Sequence, residues 1–168
     1  MVNTPRAPRA LDACRARAVA LDLLSRKAWT RRDLRDRLRR RGAPGEVADA
    51  VVGDLEALGY VDDRAFAAGL AESRARDRAL GSRRLREELL GKGVARPLVD
   101  AAVRQAFAET DETSRARAAA ERRLPLLGRS GPEQAGRRLY DYLTRRGFPA
   151  DVVRRVVRET CRVAIEPE

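Results

Sequence analysis

The stretch Leu34-Arg35-Asp36-Arg37-Leu38-Arg39-Arg40-Arg41-Gly42 decides the fold. Leucines four apart lie on one face of a helix, and a glycine after the second can take the left-handed conformation that ends a helix. The same L-x3-L-x3-G spacing returns as Leu85, Leu89, Gly93 and again as Leu139, Leu143, Gly147, with the glycines 51 and 54 residues apart. Each copy carries an aliphatic residue five positions past its glycine (Val47, Leu98, Val152) and a valine ten positions past it (Val52, Val103, Val157). Self-similarity at such a period marks a row of tandem structural units.

Reading outward, every copy supplies a helix, a glycine stop and a second helix. Start signals agree with this. Thr30 with Asp33 three residues on resembles a capping box, Ser82 opens SRRLREELL, and Pro132 after Ser130-Gly131 suits a first helical turn. Upstream of each pair runs a further helical stretch: LDACRARAVALDLLSRKAW (Leu11–Trp29), RAFAAGLAESRARDRAL (Arg64–Leu80) and SRARAAAERRL (Ser114–Leu124). The third is the weakest, because Pro125 and Gly128 interrupt it. The fold expected is all-α: three tandem three-helix repeats, nine helices, sharing surfaces as an elongated, curved helical solenoid. The boundaries expected are a mobile tail at 1–11 and repeats at 12–62, 63–112 and 113–165.

Composition supports helices with solvated outer faces. Charged residues make up 36% of the 168-residue chain and aromatics only 4%, whereas sheets lean on aromatic and β-branched residues. Net charge is +11, and only Lys27 and Lys92 are lysines, so the positive charge is almost all guanidinium. Such an excess favours polyanionic partners, nucleic acid or an acidic protein surface. Cys14 and Cys161 are isolated and the chain has no histidine, which leaves no zinc-finger spacing and no imidazole or Cys/His catalysis. No metal, cofactor or enzymatic activity is expected. MVNTPRAPRA holds no apolar run that could serve as a signal peptide, and no stretch of about 18 apolar residues follows. A cytoplasmic protein is expected, monomeric and without a membrane partner.

The charge tracks the repeat. Residues 15–42 are net +8 and residues 43–63 hold six acids and no base; residues 74–93 are net +4 and 94–114 net −2; residues 115–147 are net +6 and 148–168 net zero. Seven arginines fall within the eleven positions 31–41, against Asp33 and Asp36. A run so one-sided reads as a binding face and not merely a solvated one. On it Arg31, Arg32, Arg35 and Arg39 are the leading contacts, widened by Arg37, Arg40 and Arg41. Arg74, Arg76, Arg78, Arg83, Arg84 and Arg86, with Lys92, form a second cluster, and Arg137 and Arg138 extend the pattern to the third copy. Guanidinium forks take phosphates bidentately and give salt-dependent affinity without sequence preference. Asn3, Gln105 and Gln134 are the whole supply of the amides that read adenine. Tyr140 and Tyr142 are the best candidates for stacking on bases, with at least one of them expected in the core.

Between the first two copies stands Gly59-Tyr60-Val61-Asp62-Asp63-Arg64-Ala65-Phe66-Ala67. The adjacent carboxylates have no third ligand at a useful spacing. The structural reading is that Gly59 ends a helix, Tyr60 packs, Asp62 or Asp63 caps the next helix, and Phe66 points into the core. LEALGYVDDRAFA (Leu55–Ala67) followed by SRARDRALGSRRLREELLGKGV (Ser73–Val94) resembles the RecX family of bacterial recombination regulators. That family carries Gly-Tyr-Leu-Asp-Asp-x-x-Phe-Ala, an Arg-rich stretch, and Gly-x-Arg-Arg-Ile-x-x-Glu-Leu-x-x-Lys-Gly. Tyr60, Asp62, Asp63, Phe66, Gly81, Arg83, Arg84, Glu88, Leu89, Lys92 and Gly93 match; Val61 and Leu85 are aliphatic replacements, and Gly91 stands where a larger residue is usual. The similarity spans roughly Ala18 to Arg158 and is sharp over Leu55–Val94.

What the resemblance implies is a set of three-helix repeats that binds within the groove of the RecA–DNA filament and lowers its strand exchange, ATP hydrolysis and co-protease activity. Its partners would then be the RecA recombinase filament and the DNA phosphate backbone. The rival expectation is a general DNA- or RNA-binding helical repeat protein that acts on nucleic acid without a recombinase.

Overall fold

All three repeat glycines adopt positive φ, +93° at Gly42, +81° at Gly93 and +79° at Gly147, and the junction glycine Gly59 joins them at +76°. After Gly42 and Gly147 the backbone closes in the same way. The glycine N–H donates to the carbonyl three residues back (Arg39, Thr144), and the next N–H, of Ala43 or Phe148, donates to the carbonyl five back (Leu38, Leu143). This satisfies two carbonyls the helix leaves open, in a conformation that a side chain with a Cβ enters only with strain. Ala43 and Phe148 are then buried against the helix they follow.

The computed structural model describes residues 10–77, 80–108, 111–127 and 131–161. Residues 1–9 of the expected tail, Arg78, Gly128, Ser130 and residues 162–165 of the third repeat lie outside them. Among the described residues the chain forms nine α-helices and no strand: α1 (Ala13–Arg26), α2 (Arg31–Arg40), α3 (Gly45–Ala57), α4 (Asp63–Asp77), α5 (Ser82–Gly91), α6 (Arg96–Ala106), α7 (Glu112–Arg123), α8 (Pro132–Arg145) and α9 (Ala150–Cys161). The fold is all-α, three helices to each repeat. Pro125 turns the end of α7 into a 3-10 segment, Leu124–Leu127, because proline has no N–H to continue the α ladder.

The described residues group into two compact units. One holds α1 to α3, α4 as far as Phe66, and Lys92–Ala95; the other holds the rest of α4, α5, and the chain from Arg96. In the first, α3 packs on α1 and α2 around Ala16, Ala20, Leu34, Leu38, Val52 and Leu55. In the second, α9 packs on α7 and α8, and α5 packs on α6; Ala116, Ala120, Leu139, Leu143, Val153 and Val156 belong to its core. All six repeat leucines have 0% exposure, so the spacing read in the sequence is the spacing of the core.

The second helices of the first two repeats, α2 and α5, are each held at their start by the following repeat. In the first unit the Thr30 hydroxyl donates to the Lys92 carbonyl at 2.8 Å while its oxygen accepts the Asp33 N–H at 3.1 Å. The Arg31 N–H donates to Asp63 Oδ1 at 2.8 Å, and a Cβ on Gly93 would overlap the stem of Arg32. In the second unit the Gly81 N–H donates to the Arg146 carbonyl at 2.8 Å and the Arg83 N–H to the Gly147 carbonyl at 3.1 Å. The Ser82 N–H donates to Glu112 Oε1 at 2.8 Å. Helix starts expose unpaired N–H groups and a partial positive charge. Asp63 and Glu112, each the first residue of the next repeat's first helix, satisfy both needs.

The ends of the row depart from this arrangement. In the first repeat Ala13 stands where the later repeats have Asp63 and Glu112, one residue past the capping aspartate (Asp12, Asp62, Asp111). The Gly42 carbonyl accepts the Leu11 N–H at 3.0 Å, so the first glycine turn is closed by the segment entering α1. Helix α8 begins at Pro132, as its N1 proline suggests. Ala135, four residues before Leu139, is therefore inside a helix, whereas Thr30 and Gly81 at the matching positions precede theirs.

Candidate nucleic-acid interface

Burial of Leu34 and Leu38 sets the rotation of α2 and turns its arginines outward. Folding then neutralises the N-terminal half of that surface with acids from α2 itself and from α3. Arg31 pairs with Glu56 at 2.9 Å, Arg32 approaches Asp36 at 4.0 Å, and Arg35 lies 3.6 Å from Asp36 and 3.8 Å from Asp49. Arg37, Arg39, Arg40 and Arg41, at the C-terminal end, are exposed and have no ion pair among the described residues. Their charge is favourable beside the C-terminal pole of α2, yet all four forks remain open to an outside anion. The charge separation between residues 15–42 and 43–63 is thus closed at one end of the helix and open at the other.

The second cluster is more fully engaged. Arg74 reaches from α4 to Glu88 on α5, with Nε at 3.0 Å and Nη2 at 2.9 Å from Oε1, and both side chains are under a quarter exposed. Arg76 pairs with Glu72 within α4, Arg83 and Arg84 share Glu87 at 3.3 and 3.4 Å, and Arg86 lies 3.4 Å from Asp100. Lys92 stands 4.0 Å from Asp33 and 6.0 Å from the Phe66 ring centroid. Arg137 is exposed without an ion pair among the described residues, and Arg138 is exposed beside it. Exposed pairs of this kind are weak, about 0–1 kcal/mol, so phosphate can compete for them. The pair Arg74–Glu88 is the more structural one.

The junction motif behaves differently from its sequence reading at two aromatic positions. Tyr60 is 59% exposed and Val61, at 2%, is the residue that packs. The turn has the N–H pattern seen at Gly42 and Gly147, Gly59 to Glu56 and Tyr60 to Leu55, but here the Val61 N–H also donates to the Leu55 carbonyl at 3.3 Å, and Val61 takes the buried place that Ala43 and Phe148 hold in the other turns. Phe66 is half-buried under Lys92 and lies outside the core clusters. The two carboxylates have separate duties. Asp62 Oδ1 accepts from the Arg64 and Ala65 N–H groups at 2.8 and 2.9 Å and caps α4, whereas Asp63 caps α2. Among the described residues no group of three or more His, Cys, Asp or Glu side chains is placed to hold a metal ion. No described helix is long and apolar enough to cross a membrane.

Tyr140 and Tyr142 both lean on the core of the second unit and are half-buried, and the guanidinium groups of Arg123 and Arg146 lie 5.3 and 5.0 Å from the Tyr142 ring centroid. Sequence reasoning passed over Arg154, Arg155 and Arg158 on α9. The net-zero count for residues 148–168 hid them, since Glu166 and Glu168 offset them from beyond the helix. The 3.6-residue spacing of Val152, Val153, Val156 and Val157 would have shown that these arginines share the opposite face.

Comparison with known proteins places these features. Three family models match in order: "RecX, first three-helix domain" over residues 16–55, the second over 62–103 and the third over 109–157. The regulatory protein RecX of Thermobifida fusca (strain YX) is 42% identical over 145 residues, covering 86% of this chain and 78% of that protein. The regulatory protein RecX of Streptomyces lividans is 40% identical over 144 residues, covering 86% and 76%. In fold, the chain is similar to the crystal structure of RecX from Lactobacillus salivarius, with a TM-score of 0.76 at 16% identity over 90% of this chain and 97% of that one. A crystal structure of a regulatory protein RecX gives a TM-score of 0.78 at 22% identity, covering 86% and 72%. The repeat leucines, the repeat glycines Gly42, Gly93 and Gly147, and the paired junction acids all fall inside the matched stretches, and the chain belongs to the RecX family of regulatory proteins.

Proposed function

We propose that this chain binds the RecA–DNA filament and restrains its strand exchange, ATP hydrolysis and co-protease activity by holding the filament in one state. Membership in a family of regulatory proteins supports the role. The observation that carries the chemistry is the open cluster Arg37, Arg39, Arg40 and Arg41, four guanidinium groups at one helix end with no ion-pair partner among the described residues. Arg31, Arg32, Arg35, Arg83, Arg84, Arg86 and Lys92 join the contact set by exchanging weak internal pairs for phosphates and filament carboxylates, and the exposed Arg137 and Arg138 complete it. Inhibition needs no catalytic residue and no cofactor. A ligand that binds one of two filament states better than the other shifts the balance by its differential affinity alone. The chain acts as a monomer in the cytoplasm, through repeats bounded near residues 12–62, 63–112 and 113–165, and its DNA contacts are independent of sequence.

The test is co-sedimentation with recombinase filaments and with bare DNA across a salt series. Retention on filaments at salt concentrations that release the chain from bare DNA is the expected result. Equal loss from both, or equal binding to both at physiological salt, would replace this reading with that of a general nucleic-acid binder.

A further inference from the structure

Helix α9 buries Val152, Val153, Val156 and Val157, each at 9% exposure or less, and so its opposite face carries Asp151, Arg154, Arg155, Arg158 and Glu159. These five residues line a cleft of about 290 Å3. Glu159 is committed elsewhere, since the Arg117 guanidinium of α7 donates to it at 2.6 Å. That hydrogen bond and the attraction of the two charges push Arg117 above its ordinary range. Asp151 lies in the first turn of α9, where the helix dipole favours a carboxylate. None of Arg154, Arg155 and Arg158 has an ion pair among the described residues. Among the described residues the cleft therefore presents three guanidinium groups outside any ion pair, beside the single carboxylate of Asp151.

We infer that the α9 cleft is a phosphodiester-binding site, through which the third repeat grips a nucleic-acid backbone with its third helix. Arg154 and Arg158 are one turn apart, about 6 Å along the axis at roughly 1.5 Å per residue. Consecutive phosphates of a duplex strand rise roughly 3.4 Å along the axis and, because the strand winds around that axis, lie farther apart than this, so two forks about one helical turn apart suit neighbouring phosphates, and Arg155 widens the contact sideways. Guanidinium forks suit such oxygens bidentately. The site rests on the proposed nucleic-acid role but is separate from the α2 cluster, and it reverses the pattern in which the second helices carry the excess charge.

The experiment measures binding of a labelled single-stranded oligonucleotide and of the matching duplex to the full chain, over a salt series. The variants are R154Q/R155Q/R158Q, its charge-preserving counterpart R154K/R155K/R158K, and the α2 variant R37Q/R39Q/R40Q/R41Q, with helicity by circular dichroism confirming the fold of each. The α9 Gln variant should lose about tenfold or more in affinity at low salt, with the salt slope shallower by about two to three, one for each lost phosphate contact. The Lys variant should keep most of both. Unchanged affinity and slope in the Gln variant would overturn the inference, as would absence of oligonucleotide binding by the unmodified chain. Wild-type binding to filaments is scored separately. A chain that sediments with filaments while the Gln variant keeps its DNA affinity refutes only the α9 site. A chain that ignores filaments while the Gln variant loses DNA affinity refutes only the filament reading.

Discussion

The backbone N–H of Arg31 donates to the Asp63 carboxylate at 2.8 Å across 32 residues of chain, and Ser82 and Glu112 repeat the relationship at 2.8 Å across 30. One acid thus serves a helix of the preceding repeat while its neighbour, Asp62 or Asp111, caps its own. Replacing Asp63 by Ala should remove about 1–2 kcal/mol, the usual range for a helix-start acceptor. Asp63→Asn, which keeps an acceptor oxygen, should recover part of it. Urea unfolding of the full chain measures both, and equal losses for Ala and Asn would show that the charge alone matters.

Glycine positions should divide sharply. A Cβ at Gly81 would overlap backbone atoms of Gly147 and Phe148, which have no rotamer to yield, so Gly81→Ala should cost more than about 2 kcal/mol. Gly53, inside α3 with open space around it, should gain roughly 0.5–1 kcal/mol as Ala from helix propensity. Thermal melts of the two variants should therefore move in opposite directions.

Arginines of the two charge clusters should separate by role. Arg74→Ala removes a half-buried pair with Glu88 and should lower stability by about 1–2 kcal/mol. Replacing Arg37, Arg39, Arg40 and Arg41 by Gln should lower the melting temperature only modestly, through loss of the favourable charge at the C-terminal pole of α2, and should weaken binding to DNA and filaments. A binding loss in the Arg74→Ala chain under conditions where it is fully folded would assign that residue to the interface as well.

At the junction, Tyr60→Ala should change stability by no more than about 0.5 kcal/mol, as expected of an exposed side chain. Val61→Ala should cost on the order of 1–2 kcal/mol. Comparable losses from both would mean that Tyr60 packs in solution.

The two thiols should react at different rates. Cys14 is exposed, while burial pushes the Cys161 thiol above its ordinary value of 9.0. At pH 8 iodoacetamide should label Cys14 well before Cys161, as peptide mapping would reveal. Because the folded-state value is raised, the protonated Cys161 favours the folded chain at neutral pH. That contribution fades as pH rises through the alkaline range.

Local periodicity made much of this fold legible. Leu34 and Leu38, with Gly42 after them, are signals contained within three helical turns, and their repetition revealed the units before any packing was known. Partnerships across the chain were not legible in the same way. Nothing near Asp63 names Arg31 as its partner, and net charges summed by segment concealed both the neutralisation of Arg31 by Glu56 and the basic face of α9. Tyr60 misled because large aromatics usually pack, and Phe148 after the Gly147 turn does so, whereas after Gly59 the buried place goes to Val61. The candidate site was legible as a composition, and the division into engaged and open guanidinium groups required the fold.

Ala13 and the early start of α8 bear on how such a chain can change length. A unit appended before α1 would find no acid at Ala13 to cap its second helix, and one appended after α9 would meet Ala135 already wound into helix where Thr30 and Gly81 stand free to dock. A duplicate of the middle unit carries both matching halves, Asp63 in front and Ser82 behind. A duplicated middle unit, in evolution or in a designed variant, would therefore find a matching partner on either side.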